Sequence, residues 1–381
     1  MDVTRLVNNK LIDLRSEFNA RGFDLRLVGG CVRDLLLGLE PNDIDLHTDA
    51  NPDEQIAIYE NLGIRHIPTG LQHGTVTVIL DETTYEITSL RRDVETDGRH
   101  ALVEYTRNWE LDLERRDFTI NAMSMTLDGN LFDPFDGKTD LQNGVVRFVG
   151  EADKRISEDY LRILRWFRFR GRFEHNGDVD LQARRWTKRL AKGLANISRE
   201  RIWSEIAKIV SGPNGPDLMW EIHELDCAVF CDLPIAGVNT FNTKRLHKRT
   251  KHPITLMVDL YGIHAVSILT KWKASSAEIK MASALCAMKT NTRSLFECLA
   301  VDQQPRDWVI QAAYLRGLDD FDIAVLEDWV IPAFPVTGYD LIALGMKPGP
   351  RYGEVMSLMK DKWAKHGFDM NKEKLLSFVE V

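Results

Sequence analysis

Residues 28–46 read VGGCVRDLLLGLEPNDIDL. A strand-like run, DLRLV (24–28), ends on two glycines; CVRDLLLG (31–38) then has the pattern of a short helix closed by Gly38. DIDLHT (43–48) alternates as a strand does. Strand residues two apart project from one face, so Asp43 and Asp45 point together while Ile44 and Leu46 face the other way. Two carboxylates held that close repel each other unless a cation sits between them. Their hard oxygens suit Mg²⁺ rather than Zn²⁺. Gly29 and Gly30, just ahead of a helix N-terminus, let backbone amides approach a triphosphate, and Arg33 adds a guanidinium for a phosphate or hydroxyl. A tight turn and a surface strand with two solvated acids would each explain half of this. Gly-Gly, 12 intervening residues and then Asp-x-Asp make a far more specific combination.

On either side of this stretch the pattern is mixed. Val3, Leu6, Val7, Leu11, Leu14 and Phe18 have helical spacing over 3–20, and PDEQIAIYENLG (52–63) has Pro near its start and Gly at its end. TVTVIL (75–80) and YEITSL (85–90) predict two strands of a hairpin joined by DETT. After about residue 150 the strand signal fades. SEDYLRILRWFRFRGRF (157–173) predicts one continuous helix, and SRERIWSEIAKIV (198–210) another with Ser198 at its N-cap. SGPNGP (211–216) and KPGPRYG (347–353) predict turns. The expected fold class is α+β, a small mixed sheet with helices followed by an all-α remainder.

The chain has 381 residues, enough for two or three domains. Its net charge of −8 argues against indiscriminate nucleic-acid binding, but the charge is uneven. Residues 1–150 are net −12, residues 151–252 net +6, and residues 253–381 net −2. An acidic head beside a basic middle suits a metal-using site next to a phosphate-binding surface. No apolar run is long enough for a membrane span, and the N-terminus resembles neither a signal peptide nor a transit helix, so a cytoplasmic protein is expected. The five cysteines, an odd number without a CxxC pair, read as reduced buried thiols, and no Cys/His set has zinc spacing.

GGCVRDLLLG…NDIDL resembles motif A of the polymerase-β nucleotidyltransferase superfamily, and more narrowly of the class II tRNA nucleotidyltransferase and bacterial poly(A) polymerase family. The resemblance implies that Asp43 and Asp45 bind the catalytic Mg²⁺ and that a third carboxylate comes from a later strand, by position Glu86. RRDFTINAMSM (115–125) resembles motif B. Arg115 and Arg116 offer planar donors for phosphates; Asp117 and Asn121, at i and i+4 on a helix, can bond each other or a ribose hydroxyl. The family implies ribose selection by Asp117 and a nucleotide contact by Arg116. RRDVETDGRHALVEY (91–105) resembles the flexible loop between these motifs, a lever in the switch from CTP to ATP, and a mobile surface loop is compatible with that. Other branches of the family have Pro where Ala101 stands and Tyr nearer Thr96, so individual roles in the loop stay open. DPFDGKTDLQNGVVRFVG (133–150) resembles the connector to the neck and is assigned structure only.

SEDYLRILRWFRF resembles motif D, EDxxR, the protein template for the incoming base. Asp159 and Arg162, at i and i+3, would share a helix face. A carboxylate accepts from an exocyclic amine and a guanidinium donates to a ring nitrogen, a pattern offered by cytosine and adenine. Guanine and uracil present the reverse and would leave buried groups unpaired. Arg165 and Arg168 continue the row, with nucleotide contacts implied; Glu158 is expected to orient Arg162; Trp166, Phe167 and Phe169 are expected in the core. NISRERIWSEIAKI (196–209) resembles motif E, a support for this helix. KRLHKRTKH (244–252) supplies Lys244, Arg245, Lys248, Arg249 and Lys251, which with Arg184, Arg185, Lys188, Arg189 and Lys192 are candidate tRNA phosphate contacts; a solvated face would look the same.

The resemblance covers about 28–210 and implies a head over 1–150, a helical neck over 151–215 and a helical, tRNA-gripping body and tail over 216–381. The implied reaction is untemplated addition of C, C and A to a tRNA 3′ end from CTP and ATP, with pyrophosphate released. Poly(A) polymerase, built from the same motifs, and A-only or CC-only addition are the alternatives. The segment at 93–105 argues against the CC-adding type, and the absence of a His-Asp dipeptide against an HD phosphohydrolase. No protein partner is evident.

Overall fold

The computed structural model describes residues 3, 6–41, 43–96, 101–173, 179–234, 240–347 and 349–379. The chain divides into two compact units, one of residues 1–214 and 218–235 and one of residues 215–217 and 236–381. The expected head and neck thus belong to one unit.

The first unit opens with α1 (Asn9–Ala20), β1 (Leu25–Val28), α2 (Gly30–Leu36), β2 (Asp45–Thr48) and α3 (Pro52–Asn61). β3 (His66–Gly70), β4 (Thr75–Leu80), β5 (Thr83–Ser89), β6 (Arg91–Thr96), β7 (Ala101–Tyr105) and α4 (Trp109–Glu114) follow. β8 (Ser124–Thr126), β9 (Leu131–Phe132), α5 (Gly137–Asn143), α6 (Ala152–Glu158), α7 (Leu161–Phe173), α8 (Leu181–Leu190) and α9 (Arg199–Ser211) complete its main frame. α10 (Gly215–Glu224) and α11 (Cys227–Phe230) come next. α1 starts later than its apolar spacing suggests, because the Asn8 side chain caps it by accepting from Leu11 N.

Seven strands form a mixed sheet in the order β3-β4-β5-β2-β1-β8-β9, in which β2 and β5 run parallel and every other pair antiparallel. Alternation sorts its two faces. Leu25, Leu27, Leu46, Val76, Val78, Tyr85 and Ile87 are buried in one core with Leu11, Leu14 and Phe18 of α1 and Ile58 and Tyr59 of α3. Asp45 and Glu86 are exposed on the strands that supply that core.

Four expectations are corrected. The 91–105 segment, expected as a flexible surface loop, is regular in its described part: β6 and β7 pair as a separate antiparallel ribbon, with residues 97–100 outside the described set. Residues 157–173 are not one helix. Asp159 adopts extended backbone (φ −151°, ψ 103°), and its side chain accepts from Leu161 N at 3.1 Å. That local bond offers the backbone an alternative to the helix and separates α6 from α7. Asp117 and Asn121 span a single 3₁₀ turn (Thr119–Asn121) instead of an α-helix, although Asn121 Nδ2 still donates to Asp117 Oδ1 at 3.0 Å. The Gly-Pro loops are short, since Pro216 and Pro350 sit in the first turns of helices, where a missing N–H costs nothing. β3, β8 and β9, unpredicted, are short elements at the ends of the sheet order or next to one.

The second unit is helical: α12 (Thr240–His247), α13 (Pro253–Tyr261), α14 (His264–Lys271), α15 (Ser276–Thr290), α16 (Leu295–Ala300), α17 (Arg306–Arg316), α18 (Asp320–Asp328), α19 (Gly338–Ala343), α20 (Pro350–Lys365) and α21 (Lys372–Leu376). α15 packs against α13, α14 and α17, and Trp363 centres a cluster with Leu341, Met359 and Leu375. All five cysteines are buried, and none forms a disulfide. Among the described residues no helix is long and apolar enough to cross a membrane.

Candidate active site

Asp45 begins β2, and Asp43 lies in the bend before it; both are exposed, while Leu46 is buried. In the parallel β2–β5 ladder Asp45 is paired with Glu86. Paired strand residues share a face, so the two carboxylates leave the sheet side by side. None of the three acids makes a side-chain hydrogen bond or ion pair with a described residue. This hard-oxygen set therefore fits a divalent cation, although no three such side chains are gathered as a preformed cage among the described residues.

Beside these acids lies a cleft of about 390 Å³ lined by Gly30, Arg33, Asp45, Arg115, Arg116, Asp117, Asn121, Asp159, Arg162, Arg165 and Phe169. Four segments far apart in sequence meet there. Gly29 holds φ +76°, and a Cβ on it would sit 2.4 Å from Arg116 Nη1, so the residue must be small for two reasons. Arg33, nearly buried, donates to Asn121 Oδ1 at 2.6 Å and to Asp34 at 3.0 Å. Burial pushes its pKa down, and Asp34 works against that. Asn121 also donates to Asp117, whose other oxygen receives Arg165 Nε at 2.6 Å. Burial alone would raise Asp117; the Arg165 guanidinium and the Asn121 amide outweigh it and hold the carboxyl below its usual range. The 133–150 connector backs this turn: Val149 N donates to Asp117 O, Thr119 N to Arg147 O, and Phe118 packs on Phe148 at 4.9 Å.

Arg116 is the least well satisfied cation of the cleft. Its Nη1 reaches Asn121 O only at 3.5 Å, its Nη2 lies 3.9 Å from Asp112 Oδ2, and its buried Nε has no partner among the described residues. Burial lowers its pKa, against the pull of Asp112. A partly exposed guanidinium that lines a cleft and has few good partners is a site for an anion. Behind it stand two groups that the sequence reading did not single out. Asp112, fully buried on α4, receives Arg115 Nε and Nη2 at 3.0 and 2.9 Å. Burial would raise its pKa; His47, Arg115 and Arg116 outweigh that and hold it far down. His47 Nδ1 lies 3.1 Å from Asp112 Oδ2, in contact but off the hydrogen-bonding line, and burial pushes the imidazole pKa down. The one legible signal for His47 was its place two residues beyond Asp45 on the same strand.

Also lining the cleft, Arg162 donates to Glu158 at 2.5 Å and to the carbonyls of Arg155 and Arg115. Asp159 Oδ2 receives Arg201 Nη2 at 2.6 Å. Both thus enter the cleft wall with fixed orientation. Arg168 does not line it; its guanidinium turns to Glu205 at 3.2 Å. Phe169, expected wholly in the core, is buried but contributes to the wall, with the guanidiniums of Arg33, Arg165 and Arg168 at 4.6–5.4 Å from its ring.

The basic 244–252 segment belongs to the second unit. Lys244, Arg245 and Lys248 are exposed on or just beyond α12. Lys244 pairs with Asp217, Arg249 pairs with Asp320 at 2.6 Å and Lys251 with His247 at 2.7 Å, so those three cations are already engaged.

A family profile described as the poly A polymerase head domain matches residues 25–147. The human mitochondrial CCA tRNA nucleotidyltransferase 1 is 38% identical over 98% of this chain and 91% of its own length. The CCA-adding enzyme of Ligilactobacillus salivarius is 31% identical over 92% of this chain and 91% of its own. The crystal structure of the Bacillus stearothermophilus CCA-adding enzyme in complex with CTP superposes with a TM-score of 0.78 at 26% identity, covering 96% of this chain and 94% of that one. Nucleotidyltransferases of this kind use a divalent metal ion. With such identity along nearly its whole length, and with motifs A, B and D converging on one cleft, the chain belongs to the CCA tRNA nucleotidyltransferase family.

Proposed function

We propose that this protein adds C, C and A in turn to the 3′ end of tRNA from CTP and ATP, releasing pyrophosphate, in the cytoplasm. The observation that carries the reading is a cleft that Asp45, Arg116, Asp159, Arg162 and Arg165 line together. Asp43, Asp45 and Glu86 would hold Mg²⁺, which when bound lowers the pKa of the attacking 3′-hydroxyl and steadies the leaving pyrophosphate. The remaining steps are the chain's own. Arg33 and Arg116, with the amides after Gly29, bind the triphosphate. Asp117, held ionised by Arg165, accepts from a ribose hydroxyl. Asp159 accepts the exocyclic amine of cytosine or adenine while Arg162 donates to the adjacent ring nitrogen; guanine and uracil would leave both groups unpaired.

Lys244, Arg245, Lys248, Arg249 and Lys251 are read as tRNA phosphate contacts, with the head, neck and body bounded at 150 and 215. Exposed Arg245 and Lys248, which have no ion pair among the described residues, are the strongest of the five. Five buried cysteines without a disulfide support a reducing compartment. The decisive experiment measures incorporation of each single nucleotide into tRNA ending before CCA, after C and after CC. Ordered C, C, A and then a stop is expected. Run-on addition in ATP alone would replace this reading with poly(A) synthesis.

A further inference from the structure

We propose that His47 is a positioning residue for nucleotide binding, acting through Arg116: its Nε2 accepts from Arg116 Nη2 at 3.3 Å while its Nδ1 faces Asp112 at 3.1 Å. The proposal rests on the reading of Arg116 as a phosphate contact.

A guanidinium only donates, so the imidazole nitrogen that meets it must be the bare one, and the ring proton therefore sits on Nδ1, the edge turned to Asp112. His47 is thereby the neutral middle of a row that runs from the buried Asp112 carboxylate to the partly exposed Arg116 guanidinium. Its place is fixed by the sheet: β2 pairs with β1 at Arg26 on one side and with β5 at Thr88 on the other. Arg116 has little else to define its direction. Gly29 leaves the space that Nη1 fills, Asn121 O is at the 3.5 Å limit, the Asp112 carboxylate is 3.9 Å away, and Nε is unpartnered among the described residues. A long side chain so loosely bonded on its other edges takes its aim from the one rigid acceptor beside it. Asp112 does not replace that acceptor, because its oxygen nearer Arg116, Oδ2, stays 3.9 Å away and its other oxygen is taken by Arg115.

The test compares His47→Leu, which keeps bulk and removes the acceptor, with His47→Gln, whose amide oxygen can reach the place of Nε2. For folded full-length protein we expect His47→Leu to raise KM for CTP and ATP about tenfold, the scale of one lost charge-assisted hydrogen bond, with kcat changed much less and KM for tRNA unchanged. His47→Gln should restore most of the nucleotide KM. In an Arg116→Ala background the His47→Leu change should add nothing, since both act through one guanidinium. Additive effects, or a nucleotide KM untouched by His47→Leu while Arg116→Ala raises it, would overturn the positioning role alone. A nucleotide KM untouched by Arg116→Ala itself would overturn the reading of Arg116 beneath it. If His47→Leu does not fold, His47→Gln carries the test: a KM like that of Arg116→Ala, at wild-type melting temperature, would refute acceptor-based positioning.

Discussion

Asp45 and Glu86 stand opposite each other on neighbouring parallel strands, forty-one residues apart in sequence and adjacent on one face of the sheet. Both are exposed, and neither is engaged by a described side chain, so they contribute little to stability. Asp45→Asn is expected to abolish nucleotide incorporation, and Glu86→Gln to reduce it to a lesser degree. Both should leave the unfolding free energy within about 0.5 kcal/mol of wild type. Steady-state kinetics paired with denaturation curves check this; a large loss of stability would mean the acids serve the fold.

Gly29 and Gly38 make a matched pair for the second prediction. Both have positive φ, +76° and +70°, but a Cβ on Gly38 meets nothing within 4 Å, while one on Gly29 strikes Arg116. Each Gly→Ala change should destabilise the protein by about 1 kcal/mol through backbone strain. Only Gly29→Ala should also raise KM for CTP and ATP, because it displaces the guanidinium. Equal KM values for the two variants would remove Arg116 from the binding account.

Much of this arrangement was legible in sequence, for a physical reason. Period-two alternation placed Asp43 and Asp45 ahead of an apolar strand, and Gly-Gly before a helix marked the phosphate turn; both signals are local. The pairing of Asp45 with Glu86 is not local, since strand order depends on which apolar faces meet, and only a family resemblance supplied it. His47 and Asp112 escaped because each looks unremarkable alone: one alternates inside a strand, the other lies on a six-residue helix. Their meaning arises only when burial brings them together behind Arg116. The break at Asp159 escaped for the opposite reason. Apolar spacing ran through it, and one side-chain bond to Leu161 N overrode the pattern.

That break bears on base choice. Asp159 sits in extended backbone between two helices, with Oδ2 fixed by Arg201, so its carboxylate is held by its surroundings and not by a helix face. Asp159→Asn keeps the shape and supplies a donor where only an acceptor stood. It should let uracil pair through its O4, lowering the preference for CTP over UTP by about tenfold or more. Competition assays with the two nucleotides on tRNA lacking CCA read this directly. Unchanged discrimination would assign base choice elsewhere in the cleft.

The acid limit of stability should lie in the pairs behind the cleft. Asp112 and Asp117 are both buried and both held below the ordinary carboxylate range: burial acts to raise each, and His47, Arg115 and Arg116 for the first, and Arg165 and Asn121 for the second, more than compensate. A carboxyl whose pKa is lower folded than unfolded adds stability above its unfolded value, about 4, and loses that contribution as the pH falls through the folded value. The folded protein should therefore weaken progressively below about pH 4. Asp112→Asn tests the assignment. At pH 7 it should cost about 3 kcal/mol, because the Arg115 and Arg116 guanidiniums lose the charge that offsets their burial. Below pH 4 the variant should lose stability less steeply than the wild type, since one titrating group has been removed. Urea unfolding at a series of pH values from 7 to 3 supplies both quantities. Parallel curves through the acid range would mean that Asp112 is not a source of the acid sensitivity, whatever its cost at neutral pH.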